Sequence, residues 1–231
     1  MAAWRSLVRT STTWGLGLPV TTAASALAHL LDPPAVHHAA HRWARAVLTL
    51  AGTRLVVDGT PPAAPYLVMA NHTSRLDIVA LVAALPAGDR VGFLAKHTLF
   101  DVPLLGGAMR RLGCVPVDRE DRLTAAAMLS TAADRLRAGH ALVVFPEETW
   151  SSDGRLLPLK RGGFLLARRA RVPIVPVGIR GALEAMPASR MVVTPGDIHV
   201  RIGSAVPPGE LGDRARVTAR VAADIDRLRG M

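Results

Sequence analysis

Seven consecutive residues, Asn71-His72-Thr73-Ser74-Arg75-Leu76-Asp77, place an imidazole five positions ahead of a carboxylate. An imidazole held beside a carboxylate is fixed in one tautomer and becomes a stronger base. Such a pair can take a proton from a hydroxyl without itself being the nucleophile. That chemistry needs two rigid elements to bring the side chains together. Tyr66 to Ala70 is a short apolar run that predicts a buried strand, and Ile78 to Leu85 predicts a buried helix. His72 then lies in the turn that leaves the strand, and Asp77 in the first turn of the helix. Ser74 is a natural N-cap, with Asp77 three residues later, close to a capping-box spacing. The plainer reading of the same residues is a helix cap at Asp77 and a turn decoration at His72.

The rest of the chain supplies candidate elements to hold this stretch. Further strands are expected at Leu55–Val57, Val91–Ala95, Cys114–Val117, Ala141–Phe145, Ile174–Gly178 and Ile198–Ile202. Helical patterns fall at Leu76–Leu85, Pro103–Leu112, Arg122–Arg137, Gly162–Arg169 and Arg214–Arg229. The last of these puts Val217, Val221, Ile225 and Leu228 on one face, as a packing helix would. Such alternation argues an α/β fold with a single mixed sheet covered by helices. Ligands in such sheets collect at the carboxyl ends of strands. Three stretches there carry polar groups or prolines: Gly113 to Arg119, Phe145 to Ser151, and Val172 to Val177. Arg119, Glu147 and Thr149 are therefore candidates to meet His72. Pro173 and Pro176 lack a ladder N–H, so the third stretch is expected to be an edge or irregular strand.

Composition bounds the function. The chain has 231 residues, half of them hydrophobic but only 4% aromatic, so its core is built from Ala, Val and Leu. The formal charge of +10, mostly from Arg, suits a polyanion: nucleic acid, an anionic membrane or a phosphorylated substrate. An Arg-rich genome would give the same balance. Dinucleotide-type and P-loop glycine patterns, helix-turn-helix and zinc-finger spacings and the Gly-x-Ser-x-Gly hydrolase signature are all missing. Nucleic-acid binding would thus rest on charge alone, and no nucleic-acid partner is expected. Cys114 is the only cysteine, which rules out a disulfide framework and a cysteine-based metal site.

Residues 1–50 differ from the remainder, which suggests an N-terminal helical segment followed by a domain over 51–231. Trp14 to Leu31 has no charged residue and is just long enough for a marginal span, but Pro19 and several Thr and Ser weaken it. Val36 to Ala51 is amphipathic, with Val36, Ala39, Ala40, Trp43, Val47 and Leu50 on one face. His37, His38, His41, Arg42 and Arg45 are expected on a solvated opposite face. Basic residues at both ends of the apolar run favour a hairpin lying on or dipping into one leaflet over a simple span. Packing of both helices on the domain is the competing arrangement.

Taken together, the stretches resemble the phospholipid/glycerol acyltransferase family, and bacterial 1-acyl-sn-glycerol-3-phosphate acyltransferases in texture. Asn71-His72-x-Ser74-x-x-Asp77 matches the family's first block in full. Gly113 to Arg119 resembles the second, with Arg119 at the block's arginine and Pro116 replacing an aromatic. Val172 to Val177, with Pro176, resembles the fourth, and Leu94-Ala95-Lys96 through Leu104-Leu105-Gly106 a linking segment. The third block departs: the family pattern is Phe-Pro-Glu-Gly-Thr-Arg-Ser, and here Glu148 replaces the glycine and Trp150 the arginine.

The resemblance implies transfer of a fatty acyl group from acyl-CoA or acyl-carrier protein to a lysophospholipid hydroxyl, without cofactor or metal. It implies a peripheral or monotopic enzyme on the cytoplasmic face of an anionic cell membrane. His72 would be the general base and Asp77 its orienting partner, with backbone N–H groups near 113–119 or 145–151 facing the oxyanion. Asn71, Ser74 and Pro176 would support the blocks. Lys96, Arg119, Glu147, Glu148 and Thr149 would face the acceptor, with Lys160 and Arg161 as further phosphate partners. The family arginine is associated with the acceptor's phosphate, so Trp150 and Glu148 keep a second acceptor open: an amine-bearing lyso-lipid such as lyso-ornithine lipid. Thioester hydrolysis is a rival reaction for the same pair, and a catalytically silent lipid-binding protein is a rival without chemistry.

Overall fold

The computed structural model describes residues 10, 16, 20–118, 122–190 and 192–230. Residues 20–28 are helical (α1) and lead into α2 (Pro33–Leu50), which Asp32 caps by accepting the Ala35 N–H at 2.9 Å. Then follow β1 (Thr53–Asp58), β2 (Leu67–Ala70), α3 (Leu76–Ala84), β3 (Val91–Lys96), α4 (Leu105–Arg111), β4 (Val115–Val117), α5 (Arg122–Arg137) and β5 (Ala141–Val144). The chain ends with α6 (Gly162–Ala170), β6 (Ile174–Arg180), α7 (Ala182–Ala185), β7 (Gly196–Ile202) and α8 (Arg214–Gly230). All seven strands expected from the apolar runs form.

The strands make one sheet in the order β1-β7-β6-β2-β5-β3-β4. β6, β2, β5, β3 and β4 run parallel, β7 runs against β6, and β1 runs parallel to β7. β2 sits at the centre, and Leu67, Val68, Met69 and Ala70 are all fully buried, as a parallel strand covered on both faces requires. Val68 and Ala70 pack with α2, α3 and α7 on one face; Leu67 and Met69 pack with α5, α6 and α8 on the other. β2, β3, β4, β5 and β6 therefore open their carboxyl ends on the same edge.

Two expectations need correction. β6, expected as an edge or an irregular strand, is no edge, since it lies between β2 and β7; its pairing is irregular, as the second alternative has it. Ile174 and Val206 exchange both backbone hydrogen bonds, while further along Val177 pairs with Ile202. Three steps along β6 are thus matched by four on the returning chain. Pro176 sits in that bulge and still accepts the Gly203 N–H at 2.8 Å, so its missing donor breaks no regular pair.

The second correction concerns α2. Ala44, Leu48 and Ala51 join the core cluster of β2 and α3, while Leu50 is only partly buried. His37, expected on the solvated face, is buried at 5% exposure with its ring 6.4 Å from that of His140. Burial, helped by the neighbouring His140, lowers the His37 pKa to about 4. Val36 and Leu48, at about 1.5–3 kcal/mol each for full burial, tie α2 to the domain. Trp14, Gly15, Gly17, Leu18 and Pro19 of the Trp14–Leu31 run lie outside the described residues, and no helix among those described is long and apolar enough to cross a membrane.

α8 buries Val217, Val221, Ile225 and Leu228, the face its periodicity predicts. It crosses β6 so closely that a Cβ on Gly178 would fall 2.4 Å from the Arg229 nitrogen, hence a glycine there. The four-residue α7 was not foreseen, being too short to show a helical period.

Candidate active site

β2 ends at Ala70, and the next residue locks the turn. The Asn71 side chain donates to the Ile179 carbonyl at 2.9 Å and accepts the Ile179 N–H at 2.7 Å. It thereby continues the β2–β6 ladder through an amide side chain after the backbone has turned away. Ser74 Oγ donates to the Met186 carbonyl at 2.5 Å and accepts the Leu76 N–H at 3.0 Å. α3 begins at Leu76, one residue later than a formal cap at Ser74 would place it. The reciprocal half of the box is nevertheless present, because Asp77 reaches back over the turn.

Asp77 is fully buried, and its Oδ2 meets three groups: His72 Nδ1 at 2.9 Å, the Thr73 N–H at 2.6 Å and the Ser74 N–H at 2.7 Å. With the carboxylate oxygen accepting, Nδ1 must carry the hydrogen, which leaves Nε2 as the basic nitrogen. The His72 ring is stacked on Phe145, with centroids 3.8 Å apart and 11° between planes. At 9% exposure it is nearly shut off from solvent.

The turn after β5 clamps the same histidine. Glu147 is buried, and its two oxygens accept the His72 N–H at 2.7 Å and the Leu157 N–H at 2.6 Å. The Ser151 N–H donates to the His72 carbonyl at 2.8 Å. Burial pushes the Glu147 carboxyl up, while these backbone donors and the nearby His72 pull it down. Both Glu147 oxygens thus hold backbone N–H groups, one of them that of the base itself.

Glu148, where the third block normally has glycine, takes a left-handed φ of 62°. The glycine preference therefore has a backbone reason, and a non-glycine there costs roughly 1–2 kcal/mol. Glu148, Thr149 and Trp150 are exposed. The Trp150 Nε1–H donates to His72 Nε2, the two rings meeting edge-on with centroids 5.7 Å apart. The Arg75 guanidinium lies 5.0 Å above the indole centroid, and its Nη1 donates to the Ala188 carbonyl at 2.8 Å. Neither the Trp150 contact nor the Arg75 position could be read from spacing. Arg75 does lie inside the first block, three residues past His72, and that proximity was its one signal.

Lys96 is exposed at the carboxyl end of β3, on the edge that carries His72. Lys160 and Arg161 close the loop after Ser151, with the Lys160 N–H on the Pro146 carbonyl at 2.8 Å. Arg119 lies outside the described residues. Pro176 is in the β6 bulge, in register with Met69, three residues before His72. Among the described residues no group of three or more His, Cys, Asp or Glu side chains is placed to hold a metal ion.

The family model described as Acyltransferase matches residues 31–180. The chloroplastic 1-acyl-sn-glycerol-3-phosphate acyltransferase of Brassica napus is 36% identical over 139 residues, covering 60% of this chain and 40% of that protein. The human alpha form of 1-acyl-sn-glycerol-3-phosphate acyltransferase is 35% identical over 162 residues, covering 68% of this chain and 56% of that protein. The chain thus spans about two fifths to just over half of these relatives' length. The crystal structure of the 1-acyl-sn-glycerophosphate acyltransferase PlsC from Thermotoga maritima superposes with a TM-score of 0.85 at 25% identity, covering 98% of this chain and 95% of that one. The family match runs from the start of α2 to the end of β6 and so takes in both turns that grip His72: this chain belongs to the acyltransferase family.

Proposed function

We propose that the chain moves a fatty acyl group from an acyl thioester, acyl-CoA or acyl-carrier protein, to a lysophospholipid hydroxyl. The preferred acceptor is 1-acyl-glycerol-3-phosphate, giving phosphatidic acid. The observation that carries this reading is the buried His72–Asp77 pair, 2.9 Å apart, whose carboxylate is itself held by two backbone N–H groups. A base fixed this firmly takes the acceptor proton on Nε2 as the hydroxyl oxygen attacks the thioester carbonyl. Such general-base help contributes about 100- to 10,000-fold. Asp77 stabilises the imidazolium that forms. The thiolate leaves and is reprotonated by the imidazolium, so no acyl-enzyme is needed.

Arg75 favours a phosphate acceptor. Its guanidinium stands beside the ring that occupies the third block's arginine position, which restores a cation near the base. Glu148 at the exposed rim keeps the amine-bearing lyso-lipid as the second reading. Incubating the purified protein with palmitoyl-CoA and a panel of lyso-lipids separates them. Phosphatidic acid as the main product supports the first; acylation of the amine-bearing lipid with lysophosphatidic acid untouched supports the second.

The lipid substrates call for a membrane surface, and the proposed site of action is the cytoplasmic face of the cell membrane. Leu27, Leu30, Leu99, Val102 and Leu104 are large, apolar and exposed. They belong to one region, because His29 meets the Leu104 carbonyl at 3.3 Å and Arg111 donates to the Leu31 carbonyl. An apolar patch beside basic residues, on a chain of net charge +10, suits insertion into an anionic leaflet.

A further inference from the structure

The nitrogen that must accept the proton is already occupied. His72 Nδ1 is committed to Asp77, and Nε2 receives the indole N–H of Trp150. Phe145 covers one face of the imidazole and Trp150 its free edge. The segment carrying Trp150 lies at the surface between two buried, hydrogen-bonded flanks, with the Glu148 N–H on the Phe145 carbonyl at 3.0 Å. Glu147 and Ser151 are anchored by buried hydrogen bonds to the His72 backbone. Between them, Glu148, Thr149 and Trp150 are exposed, and Glu148 adopts a strained left-handed conformation. Trp150 remains 42% exposed even while bonded to the base, with the Arg75 guanidinium 5.0 Å from its ring centroid.

We propose that Trp150 is the specificity-determining gate of the reaction, holding His72 Nε2 until a lipid acceptor displaces it and so denying the base to water. This rests on the reading of His72 as general base. The reaction it suppresses is hydrolysis. Water would give a proton to Nε2, its oxygen would bond to the thioester carbonyl carbon, and the carbon–sulfur bond would break. The thiolate would then regain the proton from the imidazolium, leaving a free fatty acid and a thiol. A water molecule brings little binding energy with which to move an indole. A lysophospholipid brings an acyl chain and a head group, the latter within reach of Arg75. One hydrogen bond and one cation–π contact together bias the closed position by roughly 10- to 100-fold.

The test uses the full chain as wild type, Trp150→Phe, Trp150→Ala and the double variant Trp150→Ala/His72→Ala. Each is given palmitoyl-CoA alone and palmitoyl-CoA with lysophosphatidic acid, and free palmitate and phosphatidic acid are quantified by mass spectrometry. In parallel, modification of His72 by diethyl pyrocarbonate is followed by peptide mapping, with circular dichroism to verify folding. Trp150→Phe keeps an aromatic cover but has no N–H, so it isolates the hydrogen bond from the bulk of the ring. Palmitate release without acceptor, and the ratio of palmitate to phosphatidic acid with it, should rise roughly 10- to 100-fold in Trp150→Ala and by about 3- to 10-fold in Trp150→Phe, which loses only the hydrogen bond. His72 should be labelled faster in both, and the double variant should lose the added hydrolysis. Unchanged product ratios with unchanged His72 labelling would overturn the gate. The labelling needs no turnover, so a wild type that acylates nothing counts against the proposed function, and the gate then stands or falls on the labelling rates alone.

Discussion

Replacing Asp77 by Asn removes one charge and almost no volume. The buried carboxylate oxygen Oδ2 serves three donors: His72 Nδ1, the Thr73 N–H and the Ser74 N–H. If the Asn carbonyl takes the Oδ2 position, all three bonds survive as neutral ones. Hydrogen bonds to a charged acceptor are worth about 1.5–3 kcal/mol and neutral ones about 1 kcal/mol. The bonds therefore weaken and the Asn NH2 takes the place of Oδ1, a buried atom without a hydrogen-bond partner, while the desolvation cost of a buried charge is relieved. The net change in stability should stay within about 2 kcal/mol, a Tm shift of no more than about 8 °C for a chain of this length. Catalysis has no such compensation. A carboxylate and an imidazolium with charge centres about 4 Å apart attract by about 4 kcal/mol at an effective dielectric constant of 20, or roughly 1,000-fold in rate. If the Asn NH2 instead faces Nδ1, the wrong tautomer is favoured and the loss grows toward the roughly 10,000-fold seen when a triad carboxylate is amidated. The assay is thiol release from palmitoyl-CoA in the presence of lysophosphatidic acid, beside a thermal melt by circular dichroism. Asp77→Asn that keeps a tenth or more of the wild-type rate would refute the orienting role, and a melt lowered by 15 °C or more would show that Asp77 is chiefly a structural cap.

Other perturbations read different parts of the molecule. Glu147→Ala strands the buried His72 N–H, at about 1.5–3 kcal/mol, and frees the half-buried Leu157 N–H, so its Tm should fall by roughly 3 °C or more; an unchanged melt would mean the clamp on His72 is unimportant. Unfolded His37 gains its proton near pH 6.5 and folded His37 only near 4, because burial and then His140, Arg90 and His38 oppose the charge. Across that window the unfolded state binds more protons, so stability should fall as pH falls, by at most about 3 kcal/mol from about 1.36 kcal/mol per pH unit. Denaturant melts at pH 7 and pH 4.5 should therefore differ less in His37→Leu than in wild type, and an equal difference removes His37 from the account. Leu30→Asp with Leu104→Asp should reduce co-sedimentation with anionic vesicles at high salt, where exposed charges are screened over ~3 Å at 1 M, leaving the melt unchanged; undiminished binding would place the membrane contact elsewhere.

The strands were legible because a parallel sheet covered on both faces forces apolar runs, such as Tyr66–Ala70 and Ala141–Phe145, between turn residues. The pairing of His72 with Asp77 was legible for the same local reason, since a strand, a turn and a helix start within seven residues leave little freedom. What escaped involves contacts far apart in the chain. Glu147 reaches back 75 residues to the His72 N–H, and Trp150 reaches 78 to its ring nitrogen. Neither contact leaves a periodic trace, so the part Glu147 plays in framing His72 was not visible in the sequence. The prolines of β6 suggested an edge because a bulge on the returning chain, which absorbs the missing N–H of Pro176, has no signature in β6 itself. His37 was placed in solvent by its helical phase, and the packing of α2 on the domain turns that phase by about one residue.

The most direct test of the account is the rate of phosphatidic acid formation by His72→Ala under saturating palmitoyl-CoA and lysophosphatidic acid, measured as labelled lipid product. A general base contributes about 100- to 10,000-fold, so the rate should fall at least 100-fold while the far-ultraviolet circular dichroism is preserved. A folded His72→Ala protein that still forms phosphatidic acid at more than about a tenth of the wild-type rate would contradict it.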